Sequence, residues 1–402
     1  ALAAMQSADK GQVIVPTGGG KTIIMIEHAR QLLNNGPQTI VVVAPRILLA
    51  NQLCDEFMQF ISSTWTHVCH AHSGETQHFS STKSDKIALF ANTARAAGES
   101  CIIFTTYHSL NKVVDAGIEI NAAYFDESHN SVTRHFFAAT AACSDLSERA
   151  YFFTATPRIA RKHGRSMNNS DVYGPVICNV PAPELIEQGH ILPPTIVPFE
   201  TDNTRTKHNI HDVDADTVRD IIDNLDDTHA SKVLVAVPSS RVLGNMISKT
   251  TLLLQLAERG YSVMHVTSKF GAIIDGVKVS REVFFNTLTE WGKDASKKFI
   301  VFHYSILSEG INVPGLTHCI LLRNLNVVEM AQTIGRVIRL DKNDSADIRS
   351  GAIIPGKFEM YRKPCGYVTI PVHQTYGAHI AKRLQNVVDA IFVKGVPPLS
   401  LV

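Results

Sequence analysis

Residues 16–22 read Pro-Thr-Gly-Gly-Gly-Lys-Thr and follow the apolar run Gln12-Val13-Ile14-Val15. The apolar run predicts a buried strand, and residues 23–30, Ile-Ile-Met-Ile-Glu-His-Ala-Arg, predict a helix. A strand, a glycine-rich turn ending in Gly-Lys-Thr and a helix are typical of a phosphate-binding loop. In such a loop backbone N–H groups wrap a polyphosphate, Lys21 faces the outer phosphates, and Thr22 offers its hydroxyl to Mg²⁺. The predicted nucleotide-binding residues are Pro16, Thr17, Gly18, Gly19, Gly20, Lys21 and Thr22.

Further apolar runs alternate with helical patterns on both sides of a proline-rich segment at 180–198. The strand-like runs begin at Thr39, Cys101, Ala122, Ala150, Lys232, Tyr261, Lys298, His318 and Gly366. Apolar strands separated by helices indicate parallel sheets covered on both faces, and 402 residues are too many for one ordinary core. We predict an α/β chain of two tandem lobes, at 1–192 and 193–345. An extension of one strand and one helix follows at 346–402, and the polar run 200–216 is predicted to be a linker or surface excursion.

Composition narrows the class of protein without naming a partner. The chain has 38 basic and 37 acidic residues, so a strongly basic coat protein is excluded, whereas a nucleic-acid groove built from a few cations is permitted. Its seven cysteines are scattered singly, which favours reduced thiols and an intracellular protein. No apolar run approaches the roughly 18–20 residues of a membrane span. The chain begins at Ala1 inside a predicted helix, which leaves open that it is a fragment.

Two adjacent acids, Asp126 and Glu127, close the strand that begins at Ala122. After a phosphate loop, acids in this place are suited to holding Mg²⁺, through Asp126 and a water, and to polarising the attacking water, through Glu127. Taken alone, the pair fits an acidic surface turn as well as it fits this functional role.

The sequence Asp126-Glu127-Ser128-His129 resembles the acid box of the DEAD/DEAH-like helicases of superfamily 2, and other family motifs follow in order. The segments that resemble motifs Ia, Ib, III, IV, V and VI are 46–52, 105–110, 154–157, 238–241, 308–314 and 332–339. Within the superfamily the chain resembles the branch of type III restriction enzymes and phage or viral helicases, on the segments 172–176 and 182–193.

This resemblance implies two RecA-like lobes that hydrolyse ATP between them with Mg²⁺ and move on nucleic acid. The implied catalytic residues are Lys21, Asp126, Glu127, Gln332, Arg336 and Arg339, with Mg²⁺ held by Thr22 and Asp126. Arg336 and Arg339, placed one helical turn apart on one face, would reach the γ-phosphate. Gly310 and Asn312 join the nucleotide contacts, and His129, Thr154 and Thr156 couple nucleotide state to the grip on the strand. Candidate nucleic-acid contacts are Arg46, Thr106, Ser240 and Ser308, which would bind phosphates without reading sequence.

The chain departs from the family pattern at several positions. Val15 stands where the phosphate loop usually opens with Gly or Ala, and Ser128 replaces the usual Ala of the acid box. Asn312 replaces a frequent Asp, and no glutamine motif precedes the phosphate loop, so selectivity for adenine rests on the resemblance.

Three functions therefore stay open from the sequence. The first is an ATP-dependent helicase, the second a duplex translocase of a restriction-type system, and the third a nucleic-acid clamp without turnover. The resemblance favours DNA over RNA as the nucleic-acid partner. Whether a nuclease or methyltransferase subunit is a further partner stays open, and so does a phage or viral origin. His67, Cys69, His70 and His72 suggest a zinc site, but their alternation along a strand disfavours it.

Overall fold

A computed structural model describes residues 1–160, 164–225, 230–267, 269–304, 313–373 and 378–401. It divides into two compact units, Ala1–Val180 with Pro397–Val402, and Pro181–Val396. No helix in these described ranges is long and apolar enough to cross a lipid bilayer.

The first unit is built on an eight-stranded sheet with the order β4-β3-β5-β2-β6-β7-β1-β9, in which every neighbouring pair is parallel. Its strands are β1 (Lys10–Ile14), β2 (Thr39–Ala44), β3 (Thr66–Ala71), β4 (Phe79–Ser80), β5 (Ser100–Thr106), β6 (Ala122–Phe125), β7 (Ala150–Thr154) and β9 (Val176–Asn179). A separate pair joins β8 (Arg158–Ile159) to β18 (Ser400–Leu401). Strand β2 is buried along its whole length, because helices cover both faces of a parallel sheet.

Seven α-helices belong to the described part of this unit. They are α1 (Leu2–Gln6), α2 (Lys21–Leu33), α3 (Ile47–Met58), α4 (Ser84–Ala96), α5 (Leu110–Val114), α6 (Phe137–Leu146) and α7 (Ser170–Tyr173), with a 3₁₀ turn at Ser128–Asn130. Two apolar cores result, one on each face of the sheet: Val41 and Val43 point into one, and Ile40 and Val42 into the other.

The second unit has an eight-stranded sheet with the order β10-β17-β16-β11-β15-β12-β13-β14. Its strands are β10 (Pro194–Thr201), β11 (Lys232–Ala236), β12 (Ser262–Thr267), β13 (Gly271–Ile274), β14 (Val277–Val279), β15 (Phe299–His303), β16 (His318–Leu321) and β17 (Gly366–His373). Neighbouring strands are parallel except at one edge, where β13 pairs antiparallel with both β12 and β14. The predicted fold class, two tandem lobes each with a mainly parallel sheet flanked by helices, is confirmed.

The α-helices described in the second unit are α8 (Ala182–Glu187), α9 (Ile210–Asp223), α10 (Ser240–Lys249), α11 (Leu252–Glu258), α12 (Arg281–Lys293), α13 (Val327–Val337), α14 (Lys342–Ser350) and α15 (Ala378–Val388). Two short turns, a 3₁₀ turn at Phe358–Met360 and a π-helical turn at Asp389–Val393, complete it. Strand β17 lies between β10 and β16, inside the sheet.

The predicted linker over 200–216 is wrong in its second half, because α9 begins at Ile210. Asp214 on this helix is fully buried and accepts two hydrogen bonds from Arg205, at 2.6 and 2.9 Å. Part of this charged segment is therefore a helix. Its buried carboxylate, Asp214, is paired with Arg205, as a buried charge requires.

Gly174 sits where a side chain has no room. Its φ is 66°, and a Cβ built on it would lie 2.8 Å from the carbonyl oxygen of Lys10 on β1. We expect Gly174→Ala to lower the free energy of unfolding by roughly 2–4 kcal/mol, measured by urea denaturation. Gly117→Ala is the matched control: Gly117 has φ 61° with no described atom within 4 Å of such a Cβ, so only about 1 kcal/mol should be lost. Equal losses in the two variants would contradict the steric explanation.

Candidate functional site

The phosphate loop lies between β1 and α2 and has the backbone that a polyphosphate requires. Gly18 and Gly20 have φ values of 86° and 89°, in the region that favours glycine. Helix α2 begins at Lys21 and is 13 residues long, so its first N–H groups and the partial positive charge of its N-terminus face the loop. The hydroxyl oxygen of Thr17 is buried and has no hydrogen-bond partner among the described residues. These features fit the phosphates of a nucleotide.

The acid box lies at the same edge of the first sheet as the phosphate loop. Strand β6 ends at Phe125, and only β7 lies between β6 and β1 in the sheet. The segments that follow β1 and β6, which are the phosphate loop and the acid box, therefore begin close together. Lys21 Nζ lies 3.1 Å from Glu127 Oε1, and both side chains are about nine-tenths buried, with 10% and 8% exposed. The structure therefore joins two of the predicted catalytic residues directly.

Asp126 has the environment of a cation ligand. Its Oδ1 atom is buried and has no hydrogen-bond partner in the described part of the chain. Burial, followed by the neighbouring charge of Glu127, raises the pKa of the Asp126 carboxyl well above its usual range, and Lys21 opposes this rise. A divalent cation would stabilise the carboxylate here, so Asp126 fits Mg²⁺, with the Thr22 hydroxyl at the start of α2 as the predicted second ligand.

His129 connects the acid box to the end of β7. Its Nδ1 lies 3.5 Å from Glu127 Oε2, 3.0 Å from Thr154 Oγ1 and 3.3 Å from Thr156 Oγ1. The N–H of Thr156 in turn donates to Thr154 Oγ1 at 3.0 Å. The three predicted coupling residues thus form one buried network that touches Glu127.

In the second unit Gln332 and Arg336 lie on α13 and are 5% and 4% exposed. Helix α13 ends at Val337, so Arg339 lies beyond it, and the expectation that both arginines share one helical face is wrong. His303, at the end of β15, is buried, and this burial together with the charge of Arg336 lowers the pKa of its imidazole to about 3.

Lys363 is a residue that the motifs did not indicate. Its Nζ donates to the carbonyl oxygen of Arg339 at 2.7 Å, and burial lowers the pKa of its ammonium group to about 7. Asp344 holds the same segment by accepting a hydrogen bond from the N–H of Lys363 at 3.1 Å. The role of Lys363 is evident only from this contact, because nothing in the local sequence distinguishes it from a surface lysine.

Three of the four candidate nucleic-acid residues lie in described segments, at a strand end or at the start of a helix. Arg46 precedes α3, Thr106 is the last residue of β5 and is 3% exposed, and Ser240 is the first residue of α10. Ala44 of β2 pairs with Thr106, so Arg46 and Thr106 leave neighbouring strands of the first unit. Ser308, Gly310 and Asn312 lie outside the described residues.

The histidines in and just after β3 contact one another and other protein groups. His70 Nδ1 lies 2.9 Å from His72 Nε2, which lies 3.0 Å from Asn51 Oδ1, and His67 pairs with Glu99. Across the described ranges, no group of three or more His, Cys, Asp and Glu side chains is arranged to hold a metal ion.

Comparison with known families matches residues 2–159 to the type III restriction enzyme, res subunit. Comparison with curated protein sequences finds no match. The match covers most of the first unit and includes the phosphate loop, the acid box and the Thr154–Thr156 segment.

Solved structures resemble the whole chain. The ATP-dependent Type ISP restriction-modification enzyme LlaBIII bound to DNA matches with a TM-score of 0.70 and 16% identity over 100% of this chain and 30% of its own. A fragment of a putative HsdR subunit of a type I restriction enzyme from Vibrio vulnificus YJ016 matches with a TM-score of 0.59, 17% identity and coverage of 100% and 67%. Mss116p bound to ssRNA and AMP-PNP matches with a TM-score of 0.59, 14% identity and coverage of 100% and 72%.

These comparisons confirm the resemblance to superfamily 2 helicases: the chain has their fold of two tandem RecA-like lobes. It spans less than a third of the length of LlaBIII.

Proposed function

We propose that the chain is an ATP-dependent nucleic-acid motor, a helicase or translocase that hydrolyses ATP with Mg²⁺. The observation that carries the proposal is the buried ion pair between Lys21 of the phosphate loop and Glu127 of the acid box. A lysine at a helix N-terminus beside two buried carboxylates suits the hydrolysis of a nucleoside triphosphate, which depends on positioning and on neutralising phosphate charge.

The roles of the residues follow from their chemistry. A bound triphosphate would compete with Glu127 for Lys21, and Glu127, released from the ion pair, would accept a proton from the attacking water. Asp126 and Thr22 would hold Mg²⁺, which neutralises charge on the phosphate oxygens. Arg336 and Arg339 would stabilise the charge on the γ-phosphate, and Gln332 would contact the nucleotide or the water. Gly310 and Asn312 stay predictions for the nucleotide contact.

His129 contacts Glu127, Thr154 at the end of β7 and Thr156 just after it. A change in the charge or position of Glu127 would therefore reach Thr154 and Thr156 directly. We propose this contact as the route by which nucleotide state alters the grip on nucleic acid by Arg46, Thr106, Ser240 and Ser308.

DNA is the favoured track, because the restriction enzyme LlaBIII matches with a higher TM-score than the RNA-bound Mss116p. The same similarities favour a second candidate, a duplex translocase within a larger restriction-type system that has nuclease or methyltransferase parts. Displacement of a strand from a duplex and displacement of a third strand from a triplex would distinguish the two. A clamp without turnover is disfavoured, because Lys21, Glu127, Arg336 and Arg339 are all present.

The proposal predicts ATPase activity that a nucleic acid stimulates. Steady-state hydrolysis should be measured with the protein alone, with single-stranded DNA, with duplex DNA and with RNA, at one fixed salt concentration because phosphate contacts are salt-dependent. We expect DNA to raise kcat about tenfold or more over the protein alone, since nucleic-acid binding should favour the hydrolysis-competent state. Equal rates in all four conditions would contradict a motor.

A further inference from the structure

Three consecutive carbonyl groups of the acid box each accept a hydrogen bond from a side chain. Tyr107 Oη donates to the carbonyl of Asp126 at 2.9 Å, and Asn130 Nδ2 donates to that of Glu127 at 3.0 Å. Ser131 Oγ donates to the carbonyl of Ser128 at 2.6 Å. We call these side-chain donors on three successive carbonyls, at and within the 3₁₀ turn Ser128–Asn130, a backbone clamp; the assigned motor roles do not use it.

Tyr173 completes this clamp from a distant part of the chain. Its hydroxyl lies 2.7 Å from Ser131 Oγ. Because the single hydroxyl proton of Ser131 is used toward Ser128, Tyr173 must be the donor in this second bond. Tyr107, Ser131 and Tyr173 are 2%, 0% and 0% exposed, so water does not replace these bonds and their geometry is fixed by packing.

The clamp surrounds a residue with an unusual backbone. Glu127 has φ 44° and ψ 49°, the left-handed conformation, and only one other non-glycine residue among those described, Asp275, has a positive φ. A glutamate disfavours this conformation and keeps it only where its surroundings impose it. The conformation directs the Glu127 side chain to within 3.1 Å of Lys21 Nζ.

We propose that Tyr107, Ser131 and Tyr173 are positioning residues that hold Glu127 in its left-handed conformation, and that ATP hydrolysis depends on this restraint. The inference rests on the proposed function and deepens it. Tyr173 precedes Gly174, whose carbonyl accepts a hydrogen bond from Gln12 on β1 at 3.0 Å, so the segment that carries Tyr173 is fastened to the strand leading into the phosphate loop. Glu127 and the phosphate loop are thereby connected through the same strand, β1.

The test uses Tyr107→Phe, Ser131→Ala and Tyr173→Phe, each of which removes one hydroxyl of the clamp. Tyr151→Phe is the matched control, because the Tyr151 hydroxyl also lies within hydrogen-bond distance of backbone carbonyls in the first unit, 2.7 Å from that of Met5 and 2.8 Å from that of Ala8. Two quantities are measured: kcat and KM for ATP, and hydrogen exchange of a peptide spanning residues 126–133. The N–H groups of Asn130 and Ser131 in that peptide donate to the carbonyls of Glu127 and Ser128.

We expect each clamp variant to lower kcat by about 10-fold to 100-fold with KM changed less than about twofold, and to speed exchange of the peptide. Tyr151→Phe should leave kcat and the exchange of this peptide as in the wild type. Unchanged exchange in the clamp variants overturns the proposal, and so does faster exchange with unchanged kcat. If the wild-type chain hydrolyses no ATP, the proposed function fails separately, and the exchange result alone then shows whether the clamp holds the turn.

Discussion

Lys21→Ala is expected to abolish ATP hydrolysis while the protein stays folded. Lys21 is the cation of the phosphate loop, and its Nζ pairs with Glu127 in the free protein. Alanine removes both the charge for the outer phosphates and the partner that orients the acid, so kcat should fall by at least about 10²–10³-fold. Steady-state ATPase in the presence of the best stimulating nucleic acid measures the loss.

The matched control for this change is Lys86→Ala, which removes an exposed lysine of α4. It should keep the wild-type rate. Circular dichroism should show the same secondary structure in both variants, since the loop conformation is set by Gly18 and Gly20 and not by the lysine. An unchanged rate in Lys21→Ala would end the proposal of a motor.

Much of the fold is predictable because its signals are local. Strand β2 is an apolar run in which every residue is buried, and the turn before α2 needs glycine at two positive φ positions. Both follow from residue type alone, and the acid box then falls at the carboxyl edge because parallel strands of one sheet end together. The resemblance to superfamily 2 rests on such residues, so it follows from the sequence alone.

Other features depend on contacts between distant segments, which no local pattern contains. The left-handed φ of Glu127 is supported by Tyr107 and, through Ser131, by Tyr173. Strand β17 was predicted in an extension, yet it pairs within the second sheet, where its partners are β10 and β16. Pro194 of β10 pairs with Gly366 of β17, and pairing between segments so distant in sequence is decided by the whole core, so sequence periodicity could not place it.

Ser128 shows the limit of reading a single substitution from the sequence. It replaces the usual Ala of the acid box, and its side chain is completely buried. Its hydroxyl oxygen has no hydrogen-bond partner among the described residues. Nothing in the described part of the structure therefore explains serine in place of alanine at this position.

Arg339→Ala is expected to leave ATP binding near normal and to remove hydrolysis. In the proposed mechanism this guanidinium neutralises charge that develops on the γ-phosphate, so its loss should affect the transition state far more than the bound state. An arginine in this role is worth on the order of 10³-fold or more in kcat. Binding of a fluorescent ATP analogue and steady-state ATPase measure the two effects separately.

The structure makes this expectation sharper, because Arg339 lies beyond the end of α13 and its backbone is held by other residues. Lys363 Nζ binds its carbonyl oxygen at 2.7 Å, and the Asp344 carboxylate anchors the N–H of Lys363. Truncation to alanine keeps that carbonyl, so the segment should retain its course and the loss should report on the guanidinium alone. Arg349→Ala, at an exposed arginine of α14, is the matched control and should hydrolyse ATP at the wild-type rate. If loss of ATP binding is the main defect of Arg339→Ala, this arginine holds the nucleotide in the ground state and does not act on the transition state.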